Sequence, residues 1–348
     1  MTQVNNFWKK CIKIYFLSLY FNLEWKYKFF RYQPSRAYKD FKNLESLNNS
    51  QLLREIREVM KEWWEHSICS HCYDYEKKWL KSPRIAFNEG YISKYGEFPK
   101  EYSIFPKELF LKFNNICNLS CRMCSSYAST WRAKLDQLLF KKSYWLRSIP
   151  QDSIKSIRDI KLLSWVEMMD IKWGEPFLLK ENFEYLDFLI SCQLSHNIEL
   201  TYNTNLMVLP SNKNKYSYLL LWKYKNVFEM FDKFKKIKLT VSVDAYGKDN
   251  EYIRIWSNWE QILTNLNIIR KYKNIEVVMT STIQIDNLFL IPKLIIFSEQ
   301  IWVKLNLFTH NIVTHPIYYN IQILPKSIKR KVVYLYHTFM NNYDISEI

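Results

Sequence analysis

From residue 108 onward, short apolar runs alternate with longer stretches in which apolar residues recur at helical spacing. This pattern predicts strands over 109–115, within 160–171, and over 198–203, 238–244, 275–285 and 303–309. It predicts helices between them over 125–141, 178–192, 227–236, 259–272 and 288–300. Six strands, each separated from the next by a helix, require a parallel sheet, because each crossover returns the chain to the same end. Six βα units close partly into a barrel or remain an open sheet, and in both the working surface lies at the C-terminal strand ends. Strands covered on both faces read as nearly continuous apolar runs. The runs LTVSVD (239–244) and VVMTSTIQI (277–285) carry Ser and Thr instead, so one face is expected to line something polar.

Ahead of this region the texture differs. Residues 1–65 read as mostly helical, most clearly over 52–64, where apolar residues at helical spacing are interleaved with charges. The apolar stretch 14–23 is about half the ~20 residues of a membrane-spanning helix and lacks the small-residue cleavage site of a signal peptide. Flanked by Lys9, Lys10, Lys13, Lys26 and Lys28, it reads as a core helix with a basic rim, or as an interfacial amphipathic helix. Residues 67–106 hold two of the four glycines and three of the ten prolines and read as loop-dominated. The expected organisation is an N-terminal extension over 1–106, a core over 107–316 and a tail over 317–348.

Composition narrows the class without naming a function. The chain has 348 residues, 48% of them apolar and 17% aromatic, which excludes pervasive disorder. Four Gly exclude a collagen-like chain. The net charge is +16, from 50 Lys and Arg against 34 Asp and Glu, but the lysines are scattered. One denser stretch, Lys223, Lys225, Lys233, Lys235, Lys236 and Lys238, reads as a solvated helix face or as a surface for phosphates or an acidic peptide.

The cysteines are more specific. Five of seven fall in two tight clusters, Cys69 with Cys72 and Cys117 with Cys121 and Cys124, while Cys11 and Cys192 stand apart. A secreted chain spreads its cysteines as a disulfide framework, so this usage points to a reducing, cytoplasmic setting. Three thiolates on one loop directly after the first core strand can hold a metal group. A structural zinc needs four closed ligands, whereas three Cys on a [4Fe–4S] cluster leave one iron without a protein ligand.

A C-x3-C-x2-C loop after the first strand of a (β/α)6 chain resembles the radical S-adenosylmethionine (SAM) superfamily, and the resemblance spans roughly residues 108–316. It implies a partial (β/α)6 TIM-like barrel and a [4Fe–4S] cluster on Cys117, Cys121 and Cys124. It further implies SAM chelated at the open iron, reductive cleavage of SAM, and hydrogen abstraction from a substrate. Cofactors of this kind carry the chemistry while the protein orients them and excludes water. Trp173-Gly174-Glu175-Pro176 resembles the Gly-Gly-Glu-Pro turn of the superfamily, with Trp173 in place of the first Gly. The resemblance implies a SAM amino-group contact from Glu175. Asn203-Thr204-Asn205 resembles the turn after the third strand, with Leu206 where Gly is usual. Those residues are read as cofactor or substrate contacts, or as an Asx turn.

Ser242-Val243-Asp244 resembles the signature after the fourth strand, with Ala245 replacing Gly. Ser242 and Asp244 share a strand parity; the resemblance implies that Arg254, twelve residues beyond Ser242, pairs with the SAM carboxylate, the alternative being a surface Arg. Met123 stands where the family more often has an aromatic residue. His310, near the end of the sixth strand, is a candidate substrate or proton-handling residue.

Cys69 and Cys72 form a C-x2-C pair that reads as half of a second metal site or as two reduced thiols. His66, His71, Cys11, Cys192 or an exogenous ligand would have to complete that site. The segment 69–88 resembles one beside the core in twitch-type members, while the Cys-rich C-terminal extension of SPASM-type members is missing. The resemblance implies an electron donor such as a flavodoxin or ferredoxin and a peptide or protein side chain as substrate. The alternatives are a small molecule or nucleotide precursor as substrate, or a non-catalytic Fe–S or zinc protein binding nucleic acid through its basic surface.

Overall fold

A computed structural model describes residues 18–22, 25–28, 51, 55, 59, 65, 70–77, 81–96, 107–126, 128–141, 158–210, 223–307, 311–314 and 316–343. The chain divides into two compact units, Met1–Lys112 with Ile149–Asp170, and Phe113–Ser148 with Ile171–Ile348.

The first unit carries β1 (Ser18–Asn22), β2 (Trp25–Lys28), α1 (Ser70–Lys77), α2 (Pro83–Tyr95), β3 (Glu108–Lys112), a one-turn helix at Ile160–Leu163 and β4 (Met168–Ile171). Its strands run in the order β2-β1-β3-β4. The helix expected over 14–23 is corrected here. Ser18–Asn22 is a strand, parallel to β3 from Ser18 opposite Glu108 to Asn22 opposite Lys112. Leu19, Tyr20 and Phe21 also suit a strand, and pairing with a neighbour decides between the two states. All five residues of β3 are buried, as in a strand covered on both faces.

The loop reading of 67–106 is likewise corrected, because two helices lie there. Ser82 caps α2, its hydroxyl accepting from Ile85 N at 3.2 Å, with Pro83 in the first turn. Gly96 ends the helix at φ 78°. Gly90 lies inside it, where a single glycine costs only about 1 kcal/mol.

The second unit carries α3 (Thr130–Phe140), α4 (Lys180–Ser191), β5 (Glu199–Thr204), α5 (Val227–Phe231), β6 (Lys236–Ser242), α6 (Lys248–Ile253), α7 (Trp259–Ile269), β7 (Ile275–Thr280), α8 (Ile291–Gln300), β8 (Lys304–Asn306) and α9 (Lys326–Asn342). Strands β5-β6-β7-β8 are neighbours in that order, and each pair is parallel. β8 pairs with β7 alone, so the array is open. The six βα units expected from the sequence are therefore present, as an open α/β arrangement of the partial (β/α)6 kind.

Burial alternates along β5 and β6. Leu200, Tyr202, Ile237, Leu239 and Val241 enter the core. There Tyr202 meets the rings of Phe177 and Phe231 at 5.5 and 5.7 Å. The opposite parity, Thr201, Asn203, Thr240 and Ser242, is only half-buried. The polar face expected from the Ser and Thr positions is thus real.

The dense basic stretch is not one helix face. Lys236 and Lys238 lie on β6 and pair with Glu276 of β7 at 2.5 and 3.5 Å, and Lys223 pairs with Asp187 at 2.6 Å. The helix predicted over 227–236 stops at Phe231, and the tail beyond residue 316 contains α9. Among the described residues no helix is long and apolar enough to cross a membrane.

Candidate functional site

All the core site residues read from the sequence fall in the second unit. The three-cysteine loop is held by its backbone. Ser120 N–H donates to Ile255 O at 3.1 Å, Arg122 N–H to Ile253 O at 3.0 Å, and Cys124 N–H to Cys121 O at 3.1 Å. The loop therefore docks on the residues flanking Arg254. Cys121 is buried, and Cys117 and Cys124 are half-buried. Arg254 Nη1 lies 3.9 Å from Cys121 Sγ, and Asn205 Nδ2 lies 3.8 Å from Cys117 Sγ.

Burial pushes all three thiols up, Cys124 to about 12. Cys121 raises both neighbours further, while Arg254 pulls Cys121 and Cys124 down and Arg132 pulls on Cys124. Metal-free, the loop is thus a set of protonated, mutually coupled thiols whose protons a thiophilic metal group would displace. Among the described residues no three His, Cys, Asp or Glu side chains converge on a single-ion position. The thiolates of a cubane instead bind different irons.

The turn after β4 is shaped by close approach. Gly174 has φ 65°, and a Cβ there would stand 2.5 Å from Ile116 O and 3.1 Å from Asn114 O. Its N–H donates to Ala128 O at 3.2 Å, and Glu175 N–H donates to Ile116 O at 2.7 Å. Only glycine lets the turn lie against the cysteine loop in this way. Trp173, in the position of the missing first Gly, adopts φ 76°, so the left-handed backbone persists without the glycine.

Glu175 is fully buried. Its carboxylate accepts from Thr204 Oγ1 at 2.8 Å, Asn205 N at 2.8 Å and Phe177 N at 3.3 Å. Burial pushes its carboxyl up to about 7 against the pull of these donors. Glu175 thus joins the β4 turn to the β5 end. The carboxylate is sealed and occupied by protein donors, bracing the β4 turn against the end of β5.

At the end of β5 the Asx turn is formed. Asn205 Oδ1 accepts from Met207 N at 2.9 Å, while its Nδ2 donates to Asn118 Oδ1 at 2.8 Å. Leu206 sits at φ 57°, fully buried, again where glycine is usual. Asn203 is half-buried on β5, opposite Thr240 of β6. Ser242 is the last residue of β6, half-buried and in register with Thr280.

Asp244 lies beyond β6, fully buried, and forms an ion pair with Arg254 Nε at 2.8 Å. Its other oxygen accepts from Thr282 N at 2.7 Å. The pair is an ionic contact rather than a linear hydrogen bond. Arg254, expected to meet a cofactor carboxylate, is thus engaged by Asp244 and faces Cys121.

Several contributors were not visible in the sequence. Asn287 Nδ2 donates to Asp244 O at 3.0 Å and Thr282 O at 3.1 Å, tying the ends of β6 and β7. Ser129 caps α3 and donates to Leu119 O at 3.0 Å. Arg132 on α3 is buried against Asp136; an i,i+4 pair of charges on the buried face of a helix is the signal that marks it. Of the second pair, Cys72 is half-buried on α1. Cys69, His66, Cys11 and His310 lie outside the described residues.

No protein-family model and no curated protein matches the chain. Among solved structures it is similar to anSMEcpe with bound AdoMet, at 18% identity and TM-score 0.41 over 57% of this chain and 50% of that one. It is also similar to SuiB of Streptococcus suis bound to the precursor peptide SuiA, at 13% identity and TM-score 0.41 over 87% of this chain and 64% of that one. The S-adenosylmethionine-bound form of SuiB gives 13% identity and TM-score 0.41 over 83% and 60%. The chain spans less than two thirds of the length of each of these structures.

Proposed function

We propose that this chain is a radical SAM enzyme, with Cys117, Cys121 and Cys124 holding a [4Fe–4S] cluster and the Gly174-Glu175 turn and the ends of β5 and β6, all in the second unit, forming the SAM side of the site. The observation that carries this reading is the joining of two motifs. The C-x3-C-x2-C loop and the Gly174-Glu175 turn, more than fifty residues apart in the chain, are packed backbone to backbone through Ile116. The donor set fits the group: three coupled thiols on one loop, with no fourth protein thiol beside them among the described residues. Such a cluster leaves one iron open and, with SAM, supplies reductive sulfonium cleavage and hydrogen abstraction.

The protein's own contributions follow from the geometry. Arg254, fixed by Asp244, presents positive charge to Cys121 and favours its thiolate. Asn205 supports Cys117 and closes the β5 turn. Glu175 holds that turn in place from the β4 side. Asn203 and Ser242, half-buried on the polar sheet face, are free to meet cofactor or substrate, while Gly174 lets the β4 turn lie against the cysteine loop. For the substrate we propose a peptide or protein side chain, on the twitch-like character of 69–88, and an acidic electron carrier such as a flavodoxin or ferredoxin as reductant. Cys69 and Cys72 are proposed as a second metal site.

Anaerobic reconstitution tests the reading. Wild-type protein should bind about four irons at the loop, and after reduction should convert SAM to 5′-deoxyadenosine. Cys121→Ala should lose both. Iron bound equally by Cys121→Ala, or reduced holoprotein that leaves SAM intact, overturns the proposal. A small molecule that raises SAM turnover where peptides do not would move the substrate class, not the chemistry.

A further inference from the structure

We propose that Arg132 is a positioning residue for the cysteine loop, a buried guanidinium fork that fastens the loop's midpoint to α3 and to the segment preceding α9. The inference deepens the proposed function and rests on it only in taking the loop to hold the cluster.

Each guanidinium nitrogen has a separate task. Nε forms an ion pair with Asp136 one turn along α3 at 2.9 Å. Nη1 donates to the carbonyl of Arg122 at 3.4 Å, and Arg122 is the residue immediately after Cys121. Nη2 donates to the hydroxyl of Tyr318 at 3.0 Å. The side chain is nine-tenths buried, so a solvated surface arginine is not the description.

The rest of the loop shows why this anchor matters. Its first half is pinned by Ser129 to Leu119 O and by Ser120 N–H to Ile255 O. Its second half contains Cys124, whose hydrogen bonds among the described residues are the short-range one to Cys121 O and its own contact to Ser125 O. The Arg122 carbonyl sits between these halves. Arg122 is held at its N–H by Ile253 O and at its Nε by Tyr252 O at 2.8 Å, and Arg132 adds the hold at its carbonyl. A planar fork carries its donors on three separate nitrogens and so reaches three acceptors set apart in space, whereas the three donors of an ammonium converge on one nitrogen and cannot span them. Asp136 keeps the buried charge paired, so the contact to Arg122 O does not leave an isolated cation in the interior.

The test is amide hydrogen exchange on the full-length metal-free chain, read on the peptide covering residues 118–129, with a peptide from α7 as internal reference. The variants are Arg132→Met with Asp136→Asn, which keeps the charge balance, Arg132→Lys, and Tyr318→Phe. Loss of the guanidinium contact should raise exchange at the Arg122 and Cys124 amides by about tenfold or more, as expected when a charge-assisted hydrogen bond is removed from a local opening equilibrium. Arg132→Lys should fail to restore protection, and Tyr318→Phe should raise exchange by a few-fold. The reconstituted double variant should also release iron to a chelator faster than wild type.

Unchanged loop exchange in the double variant, or full protection in Arg132→Lys, overturns the proposal. If the double variant exchanges faster everywhere, α7 included, Tyr318→Phe decides, because Tyr318 is half exposed and its ring stays in place. Wild-type protein that binds no iron would sink the cluster reading, while the exchange result would still decide the role of Arg132.

Discussion

Replacing Glu175 by Gln should flatten the pH dependence of the metal-free protein's stability. The carboxyl is fully buried and burial raises it from 4.5 to about 7. A carboxyl whose folded value lies above its unfolded value binds more protons in the native state between those two values. Its contribution is therefore present in full below about pH 4.5 and is lost as pH rises through about 7. The full difference corresponds to about 3 kcal/mol at 1.36 kcal/mol per pH unit. Between about pH 5 and about pH 8 the part lost is about 2.5 kcal/mol, because at the lower limit the unfolded carboxyl is already mostly ionised. Glutamine keeps the shape but only one of the two acceptor oxygens that serve Thr204 and Asn205, a cost that does not vary with pH, and it carries no ionisable proton. The stability gap between wild type and Glu175→Gln should thus move by about 2.5 kcal/mol in favour of the variant across that range, or roughly 3–4 °C in Tm. Urea or thermal unfolding of both proteins at matched ionic strength measures it, with every other titrating group common to the two. Parallel pH profiles would refute the reasoning, since they would mean that Glu175 is ionised at no cost and is therefore not sealed behind its three donors.

Other perturbations test the neighbouring contacts. Gly174→Ala should destabilise the protein by about 3 kcal/mol, from a left-handed φ and a Cβ forced against the Ile116 carbonyl, and should impair iron uptake; a thermal shift within about 1 °C of wild type would contradict the close approach. Asp244→Ala should cost about 3–5 kcal/mol by leaving Arg254 buried and unpaired, whereas Asp244→Asn with Arg254→Met should recover at least half of that; a double-mutant cycle in denaturant showing additive losses would deny the pairing. At Leu206 the usual ranking should invert: Leu206→Gly should be no less stable than Leu206→Ala, because glycine regains about 1 kcal/mol at φ 57° that alanine does not, and a clear advantage for alanine in Tm would deny the strain.

How much of this was legible depends on what kind of interaction fixes each element. The βα alternation was readable because the pattern that predicts it is also the pattern that buries it: Leu200, Tyr202, Ile237, Leu239 and Val241 face the core at strand parity. The ends of elements were less readable. The helix after residue 227 stops at Phe231, and residues 232–235 form the approach to β6, although Lys233, Lys235 and Lys236 continue a plausible helical face in sequence. Ser18–Asn22 misled for another reason. Its state is set by the partner strand β3, about ninety residues downstream, and a local pattern carries no record of such a partner.

The candidate site divides along the same line. Cys117, Cys121, Cys124, Gly174 and Asp244 were visible because chemistry or backbone geometry restricts those positions to very few residue types. Arg132 and Asn287 were not, because their roles are defined by carbonyl groups of distant residues, and any carbonyl looks alike in sequence.

Trp173 and Leu206 turn this argument around. At both positions glycine was expected and a bulky residue was found, which in sequence alone reads as a departure that weakens the motif. The backbone at both is nonetheless left-handed, at φ 76° and 57°. A non-glycine residue in that region costs on the order of 1–3 kcal/mol and persists only where its surroundings over-determine it. Here the surroundings are on either side of the strained residues: the Gly174 N–H and Glu175 N–H bonds to the cysteine-loop segment beside Trp173, and the Leu206 N–H bond to Thr204 Oγ1 at 3.0 Å beside Leu206. The turn shape is therefore imposed by the groups it must hold against the three-cysteine loop and Glu175, and a glycine at either position would be one means to that shape rather than its cause.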